Sequence, residues 1–406
     1  MFKIPLFTEK AKPVGERCVT DTNTKLRLKF SPYYQVVESC RGVDIVVNGR
    51  QMVMMSSNEY LGLSQHPKVV EAAKKALDEW GTSPCGSRLS NGSRAYHVEL
   101  EEELADFLGK QACHVTAAGY LSCMASLSSL AQREDALIVD KSIHASLVDG
   151  ARLSTAAIER FSHNDVASLE AILRQLEPGQ PKIIVVDGVY SMEGHVAYLP
   201  KIVELAKEYS AFVVVDDAHG LGVMGSEGRG VSDHYGLGDD VDMICGSFSK
   251  ALASSGGFIA ADRMTVEYLR SSSRQIIFSA AITPSCAATA LAALRVSREE
   301  PEHRERLWEN TRYMQDILDT LGLDYWESPS PAIPIVIGNK EKCYFVWKSL
   351  QEMGFFTVMA VTPGVPAGKD LIRTAASSLH TKEQLDRFGE ALKKACKKHG
   401  VKMKRA

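Results

Sequence analysis

The sequence has no pair of cysteines at CxxC spacing and no close cluster of cysteine and histidine. Its nine cysteines are scattered from Cys18 to Cys396, so neither a disulfide framework nor a zinc site is expected, and a reducing cytoplasm fits. A basic excess is also lacking. With a formal net charge of -3, nothing is left over to neutralise a run of phosphates, which argues against nucleic acid as a partner. No apolar run reaches the length of a transmembrane segment, and the opening MFKIPLFTEKAKP lacks the continuous apolar stretch of a signal peptide. Internal repeats and low-complexity tracts are absent as well. What is present is a 406-residue chain, 45% hydrophobic and 24% charged. That is the make-up of a soluble globular protein too long for one ordinary core, and it predicts a large domain with a smaller companion.

In chain order, residues 1–50 read as an N-terminal arm in which LRLKFSPYYQVVES suggests a short amphipathic helix. Two apolar runs around Asn48-Gly49 predict a hairpin. Pro67 then opens a helix whose stripe of Val69, Ala73, Ala76, Leu77 and Trp80 reads as core, and Gly81 ends it. A Gly/Ser-rich loop, TSPCGSRLSNGS, leads to a helix headed by Glu99, Glu101, Glu102 and Glu103, where negative charge suits the macrodipole. Arg88 and His97 stay open.

From Ala112 to about Asp262, short apolar runs without period-two alternation are separated by helical stretches. This is the pattern of a mainly parallel sheet covered on both faces. Beyond residue 285 the composition turns helical, then AIPIVIG and FTVMAVTPGVP read as strands of a smaller α+β domain. The expectation is an α/β chain with a large domain over 51–285 and a small C-terminal domain over 286–406. The basic tail KKHGVKMKRA reads as a solvated end, or as a surface attractive to an acidic carrier protein or an anionic membrane.

Sites on such sheets collect where strands end. Three ends carry polar residues: Asp140 to His144, Asp216 to His219, and Ser247 to Lys250. The stretch VDMICGSFSK reads as strand, turn and helix start, with the Lys250 amine at the turn, a setting suited to Schiff-base chemistry. The run GLGVMG, Gly220 to Gly225, matches a dinucleotide fingerprint. The match fails because SEGRGVSDHYGLGD continues as loop and Asp240 precedes the next strand, which sets a nicotinamide dehydrogenase aside.

Pyridoxal phosphate asks for a different set: a lysine, a carboxylate that keeps the pyridine nitrogen protonated, and a cradle of helix-terminal amides and hydroxyls for the phosphate. Lys250, Asp216, His219 three residues further on, and Gly119-Tyr120 at a helix start supply it. Singly, Asp216 reads as a turn cap and His144 and His219 as structural histidines. Jointly they point to the cofactor.

The series NEYLGL, CGSRLSNGS, HASLVDG, GVYSMEG, VDDAHGLGVMG, GSFSKAL, IIFSAAITP and IRTAASSLHT is similar to that of the α-oxoamine synthases. These are fold type I pyridoxal phosphate enzymes that join an amino acid to an acyl thioester with loss of carbon dioxide. The motifs follow the family's order from about Leu28 to the end. By this resemblance Lys250 is the Schiff-base lysine, Asp216 the pyridinium partner, His219 the phenolate partner and His144 the ring-stacking histidine. Ser191 lies near the phenolate, and Ser247 and Ser249 belong to the phosphate cup with Gly119 and Tyr120. Arg373 grips the substrate carboxylate, with Asn58 beside it.

The family forms homodimers with sites at the subunit interface, and Ser279 matches a residue that reaches the neighbour's phosphate. The acyl donor is carried on coenzyme A or on an acyl carrier protein. GSRLSNGS, RFSHNDVASLE and FSAA resemble the bacterial serine palmitoyltransferases, whereas DDAHGLGV resembles the 8-amino-7-oxononanoate synthases. His195, Thr283 and Ser247 depart from common family residues, the last keeping its hydroxyl. An aminotransferase and a non-catalytic partner on the same fold are the alternatives.

Overall fold

In a computed structural model of the chain, residues 32–362 and 364–403 are described. Among the described residues the strands are β1 (Val37–Arg41), β2 (Asp44–Val47), β3 (Arg50–Met54), β4 (Ala112–Thr116), β5 (Ala136–Asp140), β6 (Ala157–Phe161) and β7 (Lys182–Asp187), then β8 (Ala211–Asp216), β9 (Met243–Ser247), β10 (Gly257–Ala261), β11 (Ala332–Val336), β12 (Phe355–Phe356), β13 (Val358–Ala360) and β14 (Leu371–Ala375). They form a seven-stranded sheet ordered β4-β10-β9-β8-β7-β5-β6, a four-stranded sheet β1-β2-β3-β12 and a three-stranded sheet β11-β14-β13. Strands β5, β7, β9 and β10 are buried at every position. Unbroken Val/Ile/Leu runs make such strands, because both faces are covered. From β9 to β6 all pairings are parallel. The sites therefore gather at one edge, past Asp140, Asp187, Asp216 and Ser247.

Strand β10 is the exception, antiparallel to both β4 and β9. Here the expected strand, turn and helix around Lys250 is corrected. After β9 the chain turns through Ala253 (φ 50°) and Gly256 (φ 119°) and returns at once as β10. ALASS has helix-forming composition, but two empty slots of the sheet ladder outbid a helix too short to sustain itself. The Asn48-Gly49 hairpin is present, with both residues at positive φ as a type I′ turn requires.

The helix Pro67–Trp80 forms between the anticipated ends, yet its stripe is only partly core. Val69 and Ala76 are buried, while Leu77 and Trp80 are each 42% exposed. The helix Ala95–Leu108 has no acid in its first turn, so the dipole reading of its glutamates is also corrected. Glu99 and Glu103 bind Arg295. Glu101 is buried beneath Arg88, Arg270, His114 and the Val115 amide. Burial alone would raise its carboxyl, but the hydrogen bonds from His114 and Arg88 outweigh it and hold the group at about 2.

A second core joins Val43, Val53 and Met55 to Trp347, Phe355, Phe388 and Leu392, and β3 pairs with β12. Residues 37–55 thus pack with the C-terminal third of the chain. Of the helix expected in LRLKFSPYYQVVES, the residues before Pro32 lie outside the described ones, and the remainder leads into β1. At the other end Val401 is buried and Lys342 donates to the Gly400 carbonyl, so the tail is folded back at least that far. Among the described residues no helix is long and apolar enough to cross a membrane.

Candidate active site

A cavity of about 680 Å³ opens at the ends of β7, β8 and β9. Asn58, Gly119, Tyr120, His144, Ser191, Asp216, His219, Ser247, Ser249, Lys250 and Arg373 all line it. Ser279 does not; it follows the short helix Arg274–Ile277, beside an exposed Phe278.

Asp216 ends β8 with its side chain 5% exposed. Its Oδ2 accepts from the Cys123 thiol at 3.1 Å, and its Oδ1 accepts from the Ala218 amide at 3.1 Å. His219 shares a 2.8 Å hydrogen bond between its Nδ1 and the Tyr60 hydroxyl. Burial, reinforced by Lys250, Arg373 and His144, holds the His219 imidazole well below its usual range. His144 caps the helix Ala145–Leu153, where its Nδ1 accepts from the Ser146 hydroxyl at 2.6 Å and its backbone amide donates to Asp187 at 3.2 Å. Partial removal from water lowers its pKa, with Asp216 opposing and Lys250 assisting.

The anion end is built from backbone. The helix Gly119–Ser128 starts on the cavity with Ala118 at its N-cap and no side-chain cap, so its first amides are unclaimed by a capping group. A Cβ on Gly119 would lie 2.4 Å from that of Ser247, so glycine is what lets the helix start approach the serines. The hydroxyls of Ser247 and Ser249 stand 2.7 Å apart. Tyr120 has its hydroxyl on Asp149.

On the opposite side Arg373 rises from β14, 7% exposed. It donates to the Asn58 side-chain oxygen at 2.6 Å, the Ser56 carbonyl at 2.9 Å and the Ser191 carbonyl at 3.3 Å. These acceptors orient the guanidinium without neutralising it, so its charge is available to an anion. A planar cationic heteroaromatic ring with a phosphate fits these residues: a carboxylate at one end, an amide and hydroxyl cradle at the other, and an amine between them.

Among the lining and supporting residues not anticipated from the sequence are Ser56, Tyr60, Cys123 and Asp187. Asp187 had a signal, since KIIVVD ends a buried strand as VVVD does. Tyr60 stands in the same NEYLGL motif as Asn58. Nothing in the sequence marks Cys123.

The segment GLGVMG is a series of turns wrapped on Asp217, whose buried carboxyl accepts from the Val231 amide at 2.7 Å. No helix opens at its glycines, in keeping with the rejection of a dinucleotide site.

Comparisons with known proteins agree on one family. Residues 50–392 match the aminotransferase class I and II family. The chain is 42% identical over 360 residues to a serine palmitoyltransferase of Sphingobacterium spiritivorum, covering 89% of this chain and 90% of the relative. It is 41% identical over 361 residues to an 8-amino-7-oxononanoate synthase of Bacillus velezensis, covering 89% and 92%. Among solved structures it resembles SPT with PLP internal aldimine at a TM-score of 0.93 and 32% identity, covering 97% of this chain and all of the other. The fold is that of the fold type I transferases, and the chain belongs to the aminotransferase class I and II family.

Proposed function

We propose that this chain is an α-oxoamine synthase. It binds pyridoxal phosphate and condenses a small amino acid with an acyl thioester, giving an α-amino ketone, carbon dioxide and a free thiol. Relatives at 39–43% identity are named for two members of that class. The observation that carries the reading is the placement of Arg373 across one cavity from Lys250 and Asp216. An amino acid carboxylate is held at one side while its α-carbon faces an amine.

When bound, the cofactor supplies an electron sink beside the substrate α-carbon. Asp216 would hold a proton on the ring nitrogen. His219 and Ser191 would serve the phenolic oxygen, and His144 would cover the ring. Gly119, Tyr120, Ser247 and Ser249 hold the phosphate through amides and hydroxyls. Lys250, whose amine lines the cavity, would hold the cofactor covalently and would serve as the group that moves the α-proton. Arg373, steadied by Asn58, keeps the carboxylate oriented for its loss.

Serine and a long acyl chain are the favoured substrates, because the serine palmitoyltransferase motifs agree with three relatives at 42–43% identity that carry that name. The second reading, alanine with a biotin-type acyl donor, rests on DDAHGLGV and the 41% identical relative. We further propose a cytoplasmic homodimer in which Ser279, outside its own cavity, completes the partner's phosphate site. Coenzyme A or an acyl carrier protein bears the acyl group. In the domain division at 51–285 and 286–406, residues 37–55 side with the small unit.

The test is thiol release from an acyl-coenzyme A series against serine, alanine and glycine, with Lys250→Ala as control. Release that requires Lys250, serine and a palmitoyl chain supports the favoured reading, and alanine dependence selects the second. Formation of a 2-oxo acid without thiol release would replace both with an aminotransferase.

A further inference from the structure

Asp187 and Asp216 end neighbouring parallel strands and are paired in register. Both side chains are buried, at 4% and 5% exposure, and both line the cavity. Adjacent strands run about 5 Å apart, so the two buried carboxyls are neighbours, and a like charge next door disfavours ionising both away from water.

Their donors are unequal. Asp216 receives the Cys123 thiol and the Ala218 amide. Asp187 receives the His144 amide on Oδ1 at 3.2 Å. The charged groups that bear on Asp187 are acids: Asp216, Asp140 and Glu193. Of these, Asp140 is already paired with His163. Among the described residues no lysine or arginine forms an ion pair with Asp187. Burial first, and then the Asp216 charge, push the Asp187 carboxyl well above the ordinary carboxylate range.

We propose that Asp187 is a positioning residue that works as a neutral carboxylic acid, anchoring the backbone of His144 through Oδ1 and leaving Asp216 as the only anion of the pair. The proposal rests on the cofactor reading above. A single negative charge then faces the single positive charge of a protonated pyridine ring, and the histidine that covers that ring is fixed by the same acid. Two ionised aspartates would instead give the pair a second negative charge, and among the described residues no lysine or arginine forms an ion pair with either.

The experiment is infrared spectroscopy of the holoenzyme at pH 8, comparing wild type with Asp187→Asn. The expected difference is loss of a protonated carboxyl carbonyl band, with the carboxylate bands unchanged. Loss of carboxylate bands instead would overturn the proposal. Should the variant not fold, the same band is sought in wild type by the isotope shift of 13C-labelled aspartate, and its absence at pH 8 overturns the proposal equally.

A second readout is the dissociation constant of pyridoxal phosphate measured by fluorescence. Asp187→Ala is expected to weaken it about tenfold and Asp187→Asn less than threefold, since the amide keeps the Oδ1 acceptor without the charge. Equal weakening by both would contradict the proposal. Failure of wild type to form a borohydride-reducible link to the cofactor at Lys250 would defeat the cofactor reading itself, and it is distinguishable because the infrared band of Asp187 can be read without cofactor.

Discussion

Lys250, Asp216 and His219 arise from two adjacent strands and the turns that follow them, whereas Arg373 and Asn58 are 315 residues apart in sequence. The first group forms the floor of the cavity and exists once the central sheet is paired. The second forms the wall and exists only after the segment around Met54 to Tyr60 is laid along residues 375–380. That seam is held by hydrogen bonds from the Ala375 amide to the Met55 carbonyl, from the Ser378 amide to the Tyr60 carbonyl, and from the Ser377 hydroxyl to the Glu59 carbonyl. His380 closes it from Nε2 to the Met54 carbonyl at 2.9 Å. On the proposed reading, a site divided in this way would separate cofactor binding, assigned to the floor, from amino acid capture, assigned to the wall. Substitutions on the two sides are expected to fail in different ways.

The largest effect belongs to the wall. If Arg373 holds the substrate carboxylate as proposed, Arg373→Ala removes a charge-assisted contact of roughly 1.5–3 kcal/mol. Its KM for the amino acid is therefore expected to rise by about 10- to 100-fold, while the cofactor dissociation constant stays within about twofold. Steady-state kinetics beside a cofactor titration check both numbers. An equal loss of cofactor affinity would show that wall and floor are not separable.

Tyr60→Phe probes the joint between the two regions, since Tyr60 comes from the wall segment and its hydroxyl meets the floor residue His219. The change leaves a buried nitrogen without its partner, at a cost of about 1–2 kcal/mol. Urea unfolding should register that loss, and kcat/KM should drop by about tenfold. An unchanged unfolding midpoint would mean that the hydrogen bond carries no load.

The smallest effect at neutral pH, and one that grows on acidification, comes from His380. Its Nδ1 accepts from the Ser377 amide at 3.0 Å while Nε2 donates, so the ring is neutral where it stands. Burial lowers its pKa in the folded protein. A histidine with a lowered folded value adds stability that is complete above its unfolded value of about 6.5 and is lost as pH falls below it, because the unfolded chain takes up the proton first. His97 follows the same rule to about 4, being fully buried with its Nδ1 on the Arg94 amide. The melting temperature is expected to decline from pH 7 to pH 5, with a shallower slope in His380→Asn. If the seam yields first, the KM for the amino acid rises in that interval before cofactor is released.

The floor was legible because each of its residues sits at the end of a buried apolar run, where local pattern and site geometry coincide. Asp187 met the same criterion and was passed over, although KIIVVD and AFVVVD end in register. The helix expected after Lys250 failed for a tertiary reason. Five residues of good helical composition were overruled by a strand that had to reverse between β9 and β4. Burial was the other illegible quantity. Glu101 looks like its neighbours Glu102 and Glu103 in sequence, yet it alone lies under two arginines and a histidine, while Trp80 on an apolar stripe is 42% exposed. Arg373 and Asn58 were identifiable through family motifs, but the Ser56 and Ser191 carbonyls that aim the guanidinium belong to the fold and leave no side-chain signature.

The central claim is that bond breaking at the substrate carboxylate accompanies acyl transfer. It is tested most directly by supplying carboxyl-labelled serine with palmitoyl-coenzyme A and measuring labelled carbon dioxide and free thiol together. The account predicts equal amounts of the two, both dependent on Lys250, with alanine or another acyl donor giving the same ratio if the second reading holds. Thiol released without carbon dioxide, or label retained in a 2-oxo acid, would contradict it.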